Sequence, residues 1–244
     1  MTTLYDTIGI GYAARRKPDA RIAHAINLAL GPAESVLNVG AGTGSYEPEG
    51  RHVTALEPSA EMIAQRPKNG AKAIQGAAED LPFEDRSFDA AMAILTIHHW
   101  SDIKAGLNEM RRVSRDRVVI LTFDPEGPYF WLKDYLPEIV ELDQPIMPTL
   151  EVLESILGEI SITPVPVPHD CSDGFLGAYW RRPHVYLDPE ARASISTFAR
   201  IENVETRLMA LENDVVTDAW DQKYGHLAEL ETLDIGYRLI TARI

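Results

Sequence analysis

One stretch of the sequence constrains the fold more than any other. A short apolar segment, "SVLNV" (35–39), runs into a glycine-rich turn, and a second apolar segment, "HVTALEP" (52–58), follows. Glycines at such a turn let backbone N–H groups approach a ligand closely. Glu57 closes the second segment, where a carboxylate can accept both hydroxyls of a ribose. This order predicts parallel strands with a nucleotide-type cofactor at their carboxyl ends. The glycines, in the pattern G-x-G-x-G, are Gly40, Gly42 and Gly44.

The rest of the chain alternates between strand-like and helix-like segments, which predicts an α/β fold. The predicted strands are 35–39, 52–58, 71–76, 88–96, 117–124, 159–167 and 233–244. The predicted helices are 18–30, a short one after Ser59, one that Ser101 caps, 149–157, 189–200 and 202–220. The last strand must rejoin the sheet. We therefore expect a single domain, 1–244, with its core at about 20–125, 159–167 and 233–244 and cap insertions at about 125–158 and 168–230.

The composition of the chain indicates a globular protein and narrows its expected partners and setting. With 45% apolar and 25% charged residues, the 244-residue chain is typical of a globular protein. It contains no apolar run near the ~20 residues that span a bilayer, and residues 1–20 lack a signal-peptide pattern. Cys171 is the only cysteine, so we expect no internal disulfide and a cytoplasmic setting. The net charge of −14 disfavours nucleic acid and anionic membranes as partners.

The glycine pattern also bears on the choice of cofactor. The dinucleotide fingerprint G-x-G-x-x-G needs a glycine at position 45, where this chain has Ser45. A turn-rich link, "GAAEDLPFEDRSFD" (76–89), leads into the fourth predicted strand. In a doubly wound sheet this link, the glycine turn and Glu57 surround one crevice. Ser45 disfavours an NAD-type oxidoreductase, whereas the order of these segments still predicts a nucleotide-type cofactor.

These stretches resemble the class I S-adenosylmethionine-dependent methyltransferases, in particular the group with ubiquinone/menaquinone-type enzymes and small-molecule tailoring enzymes. The resemblance spans roughly 35–125. It implies a doubly wound, Rossmann-like seven-stranded sheet, six strands parallel and a C-terminal one antiparallel, under a helical and aromatic cap. It also implies S-adenosylmethionine as cofactor and S-adenosylhomocysteine as product. The matching stretches are "VLNVGAGTG" (36–44), "VTALEPSAEMI" (53–63), "GAAEDLPFEDRSFD" (76–89), "LTIHHWSD" (95–102) and "NEMRRVSRDRVVILTFDP" (108–125).

The resemblance assigns expected roles to residues of the cofactor site. The glycine turn would hold the aminocarboxypropyl part of the cofactor, and the acid of the second strand would take the ribose diol. Other residues would border the adenine or lie near the sulfonium. Two N-terminal residues would reach the cofactor carboxylate, or else lie on an ordinary surface segment. The residues of the glycine turn are Gly40, Ala41, Gly42 and Gly44, and the acid of the second strand is Glu57. The residues near the adenine are Pro58, Ser59, Met62, Ala78 and Glu79, and those near the sulfonium are Leu95 and Thr96. The two N-terminal residues are Tyr12 and Arg16.

The chain departs from the family pattern at three points. Asn38 stands where the family usually has aspartate, and Ala77 where an aspartate often holds the adenine amino group. Gly40 and Glu57 are 17 residues apart, about one helical turn less than usual. We therefore expect the first helix of the fold to be reduced to about one turn.

The substrate side gives weaker signals. His98 and His99 follow the fourth predicted strand and are candidate general bases, with His98 preferred to face the pocket; the alternative is that they brace the strand end. The unusual segment 168–187 predicts a substrate wall, or alternatively aromatic residues that fasten the cap to the core. Its candidate substrate residues are Tyr179, Trp180, Arg181 and Arg182. No spacing of ligands predicts a metal site.

The leading hypothesis is methyl transfer from S-adenosylmethionine to a small molecule by in-line displacement. A non-catalytic S-adenosylmethionine-binding protein is the main alternative, because Asn38 and Ala77 remove two family carboxylates. An NAD-type oxidoreductase and an RNA methyltransferase are less favoured. The sequence leaves open O-, N- or C-methylation and the oligomeric state.

Overall fold

A seven-stranded sheet forms the centre of the protein. The computed structural model describes residues 12–244, so more than half of the segment 1–20, on which the expected lack of a signal peptide rests, lies outside the described residues. In spatial order the sheet is β3-β2-β1-β4-β5-β9-β6. Its strands are β1 (Ser35–Val39), β2 (His52–Glu57), β3 (Lys72–Gln75), β4 (Phe88–Ile94), β5 (Ser114–Phe123), β6 (Ile160–Pro164) and β9 (Tyr237–Arg243).

The direction of the strands confirms the predicted fold class. The first five strands pair in parallel, whereas β9 is antiparallel to both of its neighbours, β5 and β6. Strand β6 therefore runs parallel to the first five. The sheet has six parallel strands and one antiparallel C-terminal strand.

The helices flank this sheet and form most of the cap. The α-helices are α1 (Tyr12–Arg15), α2 (Ala20–Ala29), α3 (Ala60–Ala64), α4 (Ile103–Val113), α5 (Glu138–Asp143), α6 (Leu150–Leu157), α7 (Pro189–Arg192), α8 (Val204–Val216) and α9 (Ala219–Tyr224). Short 3-10 turns lie at Ile97–His99, Trp131–Asp134, Pro183–Leu187, Phe198–Arg200 and Gly225–Glu229.

Several element boundaries differ from the prediction. The helix expected from Ser101 begins at Ile103, because the Asp102 side chain accepts the N-terminal backbone hydrogen bond from Ala105. The predicted helix 202–220 breaks near Asp218, whose φ of 58° is left-handed. The predicted strand 233–244 divides in the same way, at a tight turn around Gly236 with φ 97°. Its first part, β8 (Thr232–Leu233), pairs instead with β7 (Val167–Pro168).

The link between β1 and β2 contains no helix at all, so the prediction of a single remaining helical turn was wrong. Residues 40–51 form successive turns. Tyr46 adopts a φ of 64°, and Gly50 a φ of 77°. These left-handed residues interrupt any helical path, and Pro48 between them adds a fixed φ. The expected shortening therefore removes the helix rather than trimming it.

Both faces of the central strands of the sheet are buried. Strand β5 alternates its side chains between two apolar clusters, with Val119 and Leu121 in one and Val118 and Ile120 in the other. A central parallel strand that is covered on both sides reads as a continuous apolar run, which "RVVILTF" does. The first cluster also contains most of the buried cap residues. The cap and the sheet thus share one core.

Aromatic side chains fasten the cap together. Trp131 meets Tyr186 and Trp220 edge to face, with ring centroids 5.7 and 5.3 Å apart. Its indole Nε1 donates to the carbonyl oxygen of Trp180 at 2.5 Å, and the Trp180 Nε1 donates to the Val167 carbonyl at 2.9 Å. These bonds satisfy buried donors while they anchor the cap to β7. The division into core and cap insertions by residue range stays a prediction.

Within residues 12–244, the structure has no helix that is both long and apolar enough to cross a membrane.

Replacing Ile120 with alanine should lower the free energy of unfolding by about 2–5 kcal/mol, because the change leaves a cavity in a buried strand. Ile162 is the matched control: both isoleucines pair with Ile240, but Ile162 is 42% exposed whereas Ile120 is fully buried. Ile162→Ala should cost less than about 1 kcal/mol. Urea unfolding followed by circular dichroism measures both, and equal losses would contradict the assigned packing.

Candidate functional site

A cavity of about 560 Å³ opens at the carboxyl ends of β1, β2 and β4. Its volume lies within the range of small-molecule and cofactor sites. The walls come from the glycine turn after β1, the end of β2, the link 75–79 after β3 and the segment 94–101 after β4. Four separate connections thus meet at one edge of the sheet, because all of these strands are parallel.

The glycine turn passes directly under the end of β4. Gly40 has a φ of 68°, and a Cβ added there would stand 2.2 Å from the Thr96 Oγ1 atom. Only glycine allows this approach. Leu95, the residue before Thr96, also adopts a left-handed φ of 54°, which is strained for a branched side chain. The tight contact explains the first glycine of the motif and brings two of the expected site segments together.

Glu57 connects the end of β2 to the glycine turn. Its Oε2 accepts a hydrogen bond from the Gly42 backbone N–H at 2.8 Å, and its Oε1 accepts one from the Ser59 N–H at 2.9 Å. The residue is 5% exposed and lines the cavity. An ionised carboxylate has about four lone-pair sites, so one carboxylate can accept from several donors. The arrangement fits a ligand with two adjacent hydroxyls.

A second network braces the turn that replaces the missing helix. The Glu47 Oε1 atom accepts from the Asn38 Nδ2 at 3.2 Å and from the Arg66 Nη2 at 2.6 Å. The Arg66 Nη1 atom donates to the Gly42 carbonyl at 3.1 Å. Asn38 therefore donates a hydrogen bond to the Glu47 carboxylate. An aspartate at position 38, as is usual in the family, would place a second carboxylate there. The carboxylate that braces this turn comes from residue 47 instead.

A buried ion pair ties the cap to the same region. Asp173 of the cap is fully buried and binds the Arg16 guanidinium through both oxygens, at 2.5 and 3.1 Å. Its Oδ2 also accepts from the Tyr46 hydroxyl at 2.9 Å, and Arg16 donates to the Tyr12 hydroxyl. Burial, with Asp173 beside it, raises the pKa of Tyr46 and keeps the phenol neutral. The segment 12–16, the link between β1 and β2, and the cap thus meet at the Asp173 carboxylate.

The two histidines after β4 face different cavities. His99 lines the 560 Å³ cavity, whereas His98 lines a second cavity of about 50 Å³, so the expectation that His98 would face the main pocket was wrong. Their ring centroids are 3.9 Å apart. Burial lowers the pKa of His98 well below its usual value and that of His99 to about 4, and nearby Arg16 and Arg200 act in the same direction. Both imidazoles are therefore neutral at pH 7.

The smaller cavity lies between the strand ends and the cap. It shares Arg16 and Leu95 with the larger one, so these side chains stand between the two. Asp143, in its wall, is buried and accepts from the Thr197 hydroxyl at 3.0 Å. Burial raises the pKa of Asp143 to about 6, although the Thr197 bond and Arg200 oppose that shift.

The structure brings most of the expected cofactor residues together. Gly44 and Ser59 are the exceptions: Gly44 packs near Glu47 and Arg66, and Ser59 caps helix α3 by accepting from the Met62 N–H at 3.2 Å. Glu79 lines the cavity but also accepts from the Ser101 and Asp102 N–H groups. The expected residues that line the cavity are Tyr12, Arg16, Gly40, Ala41, Gly42, Glu57, Pro58, Met62, Ala78, Glu79, Leu95 and Thr96.

The expected substrate residues do not line either cavity. Trp180 is fully buried within the cap, and the Arg182 Nη2 donates to the carbonyls of Cys171 and Ala178. Tyr179 lies under the Arg182 guanidinium, 5.0 Å from ring centroid to Cζ, and Arg181 donates to the Leu230 carbonyl. Their contacts match the alternative in which this segment fastens the cap.

Sequence reasoning missed several residues of the site. Tyr46 and Glu47 lie in the shortened link, and that unusual spacing was the available signal. Trp100 and Gln75 line the cavity next to residues that were expected there. No sequence pattern pointed to Arg66, because it follows the short helix α3 and contacts Gly42 and Glu47 only in the folded chain.

No metal centre is indicated within the described part of the chain. Among residues 12–244 no three His, Cys, Asp or Glu side chains are grouped to hold an ion. Cys171 is buried, and burial raises the pKa of its thiol to about 12, so it is not an activated nucleophile.

Comparisons with known proteins show which family and which fold the chain is similar to. Residues 37–122 match the family described as "Methyltransferase domain". A candidate methyltransferase from an antibiotic biosynthesis pathway of Anabaena variabilis, known from its crystal structure, is 38% identical; the match covers 94% of this chain and 99% of that one, with a TM-score of 0.87.

Curated relatives match over a shorter region. The rice 2-methyl-6-phytyl-1,4-hydroquinone methyltransferase 1 is 32% identical over 127 residues, which cover 46% of this chain and 38% of the rice protein. The demethylmenaquinone methyltransferase of Beutenbergia cavernae is 34% identical over 125 residues, 45% of this chain and 52% of that protein. The matched region thus spans about two fifths to one half of these relatives.

Arg66→Met should weaken S-adenosylhomocysteine binding about tenfold, because it removes charge-assisted bonds to Glu47 and to the Gly42 carbonyl. Lys68→Met, two residues away on an exposed side chain, is the control and should bind as the wild type does. Isothermal titration calorimetry measures both affinities. An Arg66→Met protein with unchanged affinity would show that the turn needs no such brace.

Asp143→Asn should stabilise the protein at neutral pH. The native state keeps the Asp143 proton up to about pH 6, whereas the unfolded chain releases it near 3.8, so the wild type loses stability as pH rises through that window. The variant lacks this loss, and its advantage should grow from near zero at pH 4 to at most about 3 kcal/mol at pH 8. Urea unfolding at four pH values tests it; a pH-independent difference would contradict it.

Proposed function

Because this chain belongs to the class I S-adenosylmethionine-dependent methyltransferases, we propose that it transfers the cofactor's methyl group to a small-molecule acceptor. The observation that carries the proposal is the convergence of the glycine turn and Glu57 on one cavity of about 560 Å³. When bound, the cofactor supplies an activated methyl group on sulfur, which needs no protonated leaving group. The protein must then hold an acceptor in line at about 3 Å and exclude water.

Different residues of the cavity would bind different parts of the cofactor. The turn from Gly40 to Gly42 offers backbone N–H groups to the aminocarboxypropyl part, and Arg16 and Tyr12 lie at the same wall. Glu57, which its bonds to the Gly42 and Ser59 N–H groups hold at the wall of the cavity, would take the ribose diol.

The adenine would lie between apolar walls. Met62 and Pro58 form one side, and Ala78 lies at the edge. Ala77 brings no carboxylate to the adenine amino group, so recognition there relies on the shape of the cavity and on backbone groups. Leu95 and Thr96 would lie near the sulfonium.

Several observations support a small molecule as the acceptor. The cap packs against the same core as the sheet and leaves only confined space beside Leu95. The net charge of −14 opposes binding of RNA. The rice and Beutenbergia relatives are named for quinol and quinone substrates, which are small molecules.

Binding of the cofactor is tested first. Wild-type protein should bind S-adenosylhomocysteine and S-adenosylmethionine, but not NAD, in isothermal titration calorimetry. Glu57→Ala should weaken binding at least about tenfold, equivalent to about 1.4 kcal/mol. Glu49→Ala, an exposed glutamate in the same link, is the matched control and should retain full affinity. Binding of NAD alone would overturn the proposal.

Turnover separates an enzyme from a non-catalytic binding protein. The protein is incubated with S-adenosylmethionine and a panel of small phenols, amines and carboxylic acids, and S-adenosylhomocysteine is followed by mass spectrometry. Formation above the acceptor-free control with any member supports methyl transfer. Tight cofactor binding with no turnover across the panel favours the non-catalytic alternative.

A further inference from the structure

We propose that Asp173, a residue of the cap, is a positioning residue for the cofactor, because it holds Arg16 where the carboxylate of the aminocarboxypropyl part would bind. The inference rests on the proposed cofactor site and specifies how the charged end of the cofactor is recognised. Asp173 is fully buried and lines neither cavity, so it would act through Arg16 and not by touching a ligand.

Arg16 supplies the positive charge of the larger cavity. Among the residues between 12 and 244 that line this cavity, it is the only lysine or arginine. His99 lines it too, but burial lowers the pKa of His99 to about 4, so its imidazole is neutral at pH 7. The other ionisable carboxyl groups of the wall, Glu57 and Glu79, would repel an anion. A carboxylate bound in this cavity would therefore find its opposite charge in Arg16.

Asp173 fixes the orientation of the Arg16 guanidinium. The Asp173 Oδ1 atom accepts from the Arg16 Nε at 2.5 Å, and the Oδ2 atom accepts from Nη2 at 3.1 Å. Two parallel bonds of this kind match the planar fork of an arginine and oppose its rotation. The Nη1 atom donates to the Tyr12 hydroxyl at 2.5 Å. Because Arg16 lines the larger cavity, its charge is fixed at that wall before a ligand binds.

The backbone also holds the cap against the segment that carries Arg16. Arg16 and Asp173 form an antiparallel β-bridge. The neighbouring Ser172 N–H donates to the Asp19 carboxylate at 3.2 Å, and the Ser172 hydroxyl donates to the Pro18 carbonyl at 3.2 Å. The position of the Asp173 carboxylate is therefore set by several contacts of the cap and not by the ion pair alone.

Tyr46 connects the same carboxylate to a second wall of the cavity. Its hydroxyl donates to the Asp173 Oδ2 atom at 2.9 Å, and Tyr46 itself lines the larger cavity. The residue has a left-handed φ of 64°, which is uncommon for a bulky side chain and persists only where the surrounding structure holds it. Asp173 thus holds two residues of the cavity wall, Arg16 and Tyr46, in fixed positions relative to each other.

The ion pair suits a positioning role better than a stabilising one. Desolvation of two buried charges offsets most of their attraction, so a buried pair adds little net stability. What it supplies is a fixed geometry, and here that geometry concerns a side chain of the cavity wall. Loss of the Asp173 carboxylate should therefore affect mainly the part of the cofactor that meets Arg16.

Two ligands distinguish this role from a general effect on the fold. S-adenosylhomocysteine carries the aminocarboxypropyl part, whereas 5′-methylthioadenosine has the same adenosine and sulfur with a methyl group in its place. In isothermal titration calorimetry, Asp173→Asn should weaken binding of S-adenosylhomocysteine about tenfold, because an amide cannot hold the guanidinium with two charge-assisted bonds. The same variant should change the affinity for 5′-methylthioadenosine by less than about twofold.

A second variant and a control accompany this measurement. Tyr46→Phe removes one bond to Asp173 and keeps the ring, so it should weaken S-adenosylhomocysteine about threefold and leave 5′-methylthioadenosine unchanged. Asp170→Asn makes the same change at an exposed acid of the cap, which pairs with Arg21, and should bind both ligands as the wild type does. Should Asp173→Asn fail to fold, Tyr46→Phe decides by the same comparison of the two ligands.

A double-mutant cycle tests whether Asp173 acts through Arg16. Arg16→Met alone should weaken S-adenosylhomocysteine about tenfold, and adding Asp173→Asn should cost less than about twofold more. Equal losses of both ligands in Asp173→Asn, an unchanged affinity for S-adenosylhomocysteine, or a full additional loss in the double variant overturns the inference. A wild-type protein that binds neither S-adenosylhomocysteine nor S-adenosylmethionine overturns the proposed function instead.

Discussion

The shape of the larger cavity depends on how the chain holds a glycine turn that has no helix behind it. In a doubly wound sheet the helix after the first strand normally supports that turn with its N-terminal N–H groups. Here the Glu47 carboxylate takes this supporting position, with Asn38 on one side and Arg66 on the other. The pair is largely buried, at 5% and 13% side-chain exposure. Buried ion pairs add little net stability, so we interpret this one as a device that positions the turn.

The Asp173 carboxylate couples the same region to the cap. Asp173 binds Arg16, from the segment 12–16, and Tyr46, from the link between β1 and β2. Removing one member would leave a buried charge or hydroxyl without its partner, a cost of several kcal/mol for a charge. The cap therefore does not simply cover the site. Its position and the shape of the cofactor cavity are set by shared hydrogen bonds.

The end of β4 separates two chemical environments. His99 and Thr96 face the larger cavity, whereas His98 faces the smaller one under the cap aromatics. The strained residue Leu95 follows the strand, and a 3-10 turn at Ile97–His99 follows Leu95. This local geometry assigns the two histidines to different cavities, and no pattern in "HHW" would have distinguished them.

The sequence by itself determined where the strands of the sheet lie along the chain and that a crevice forms at their carboxyl ends, because apolar periodicity and glycine placement are local signals that the backbone obeys directly. It also predicted most of the residues that line the larger cavity, since those residues sit at strand ends and parallel strands bring their ends together. Only the tertiary structure decided that Asn38 is braced by Glu47 and Arg66, that His98 turns away from the main cavity, and that Trp180 and Arg182 fasten the cap. Those outcomes depend on contacts between residues far apart in the chain, and side-chain packing there is set by the folded core rather than by neighbours in sequence.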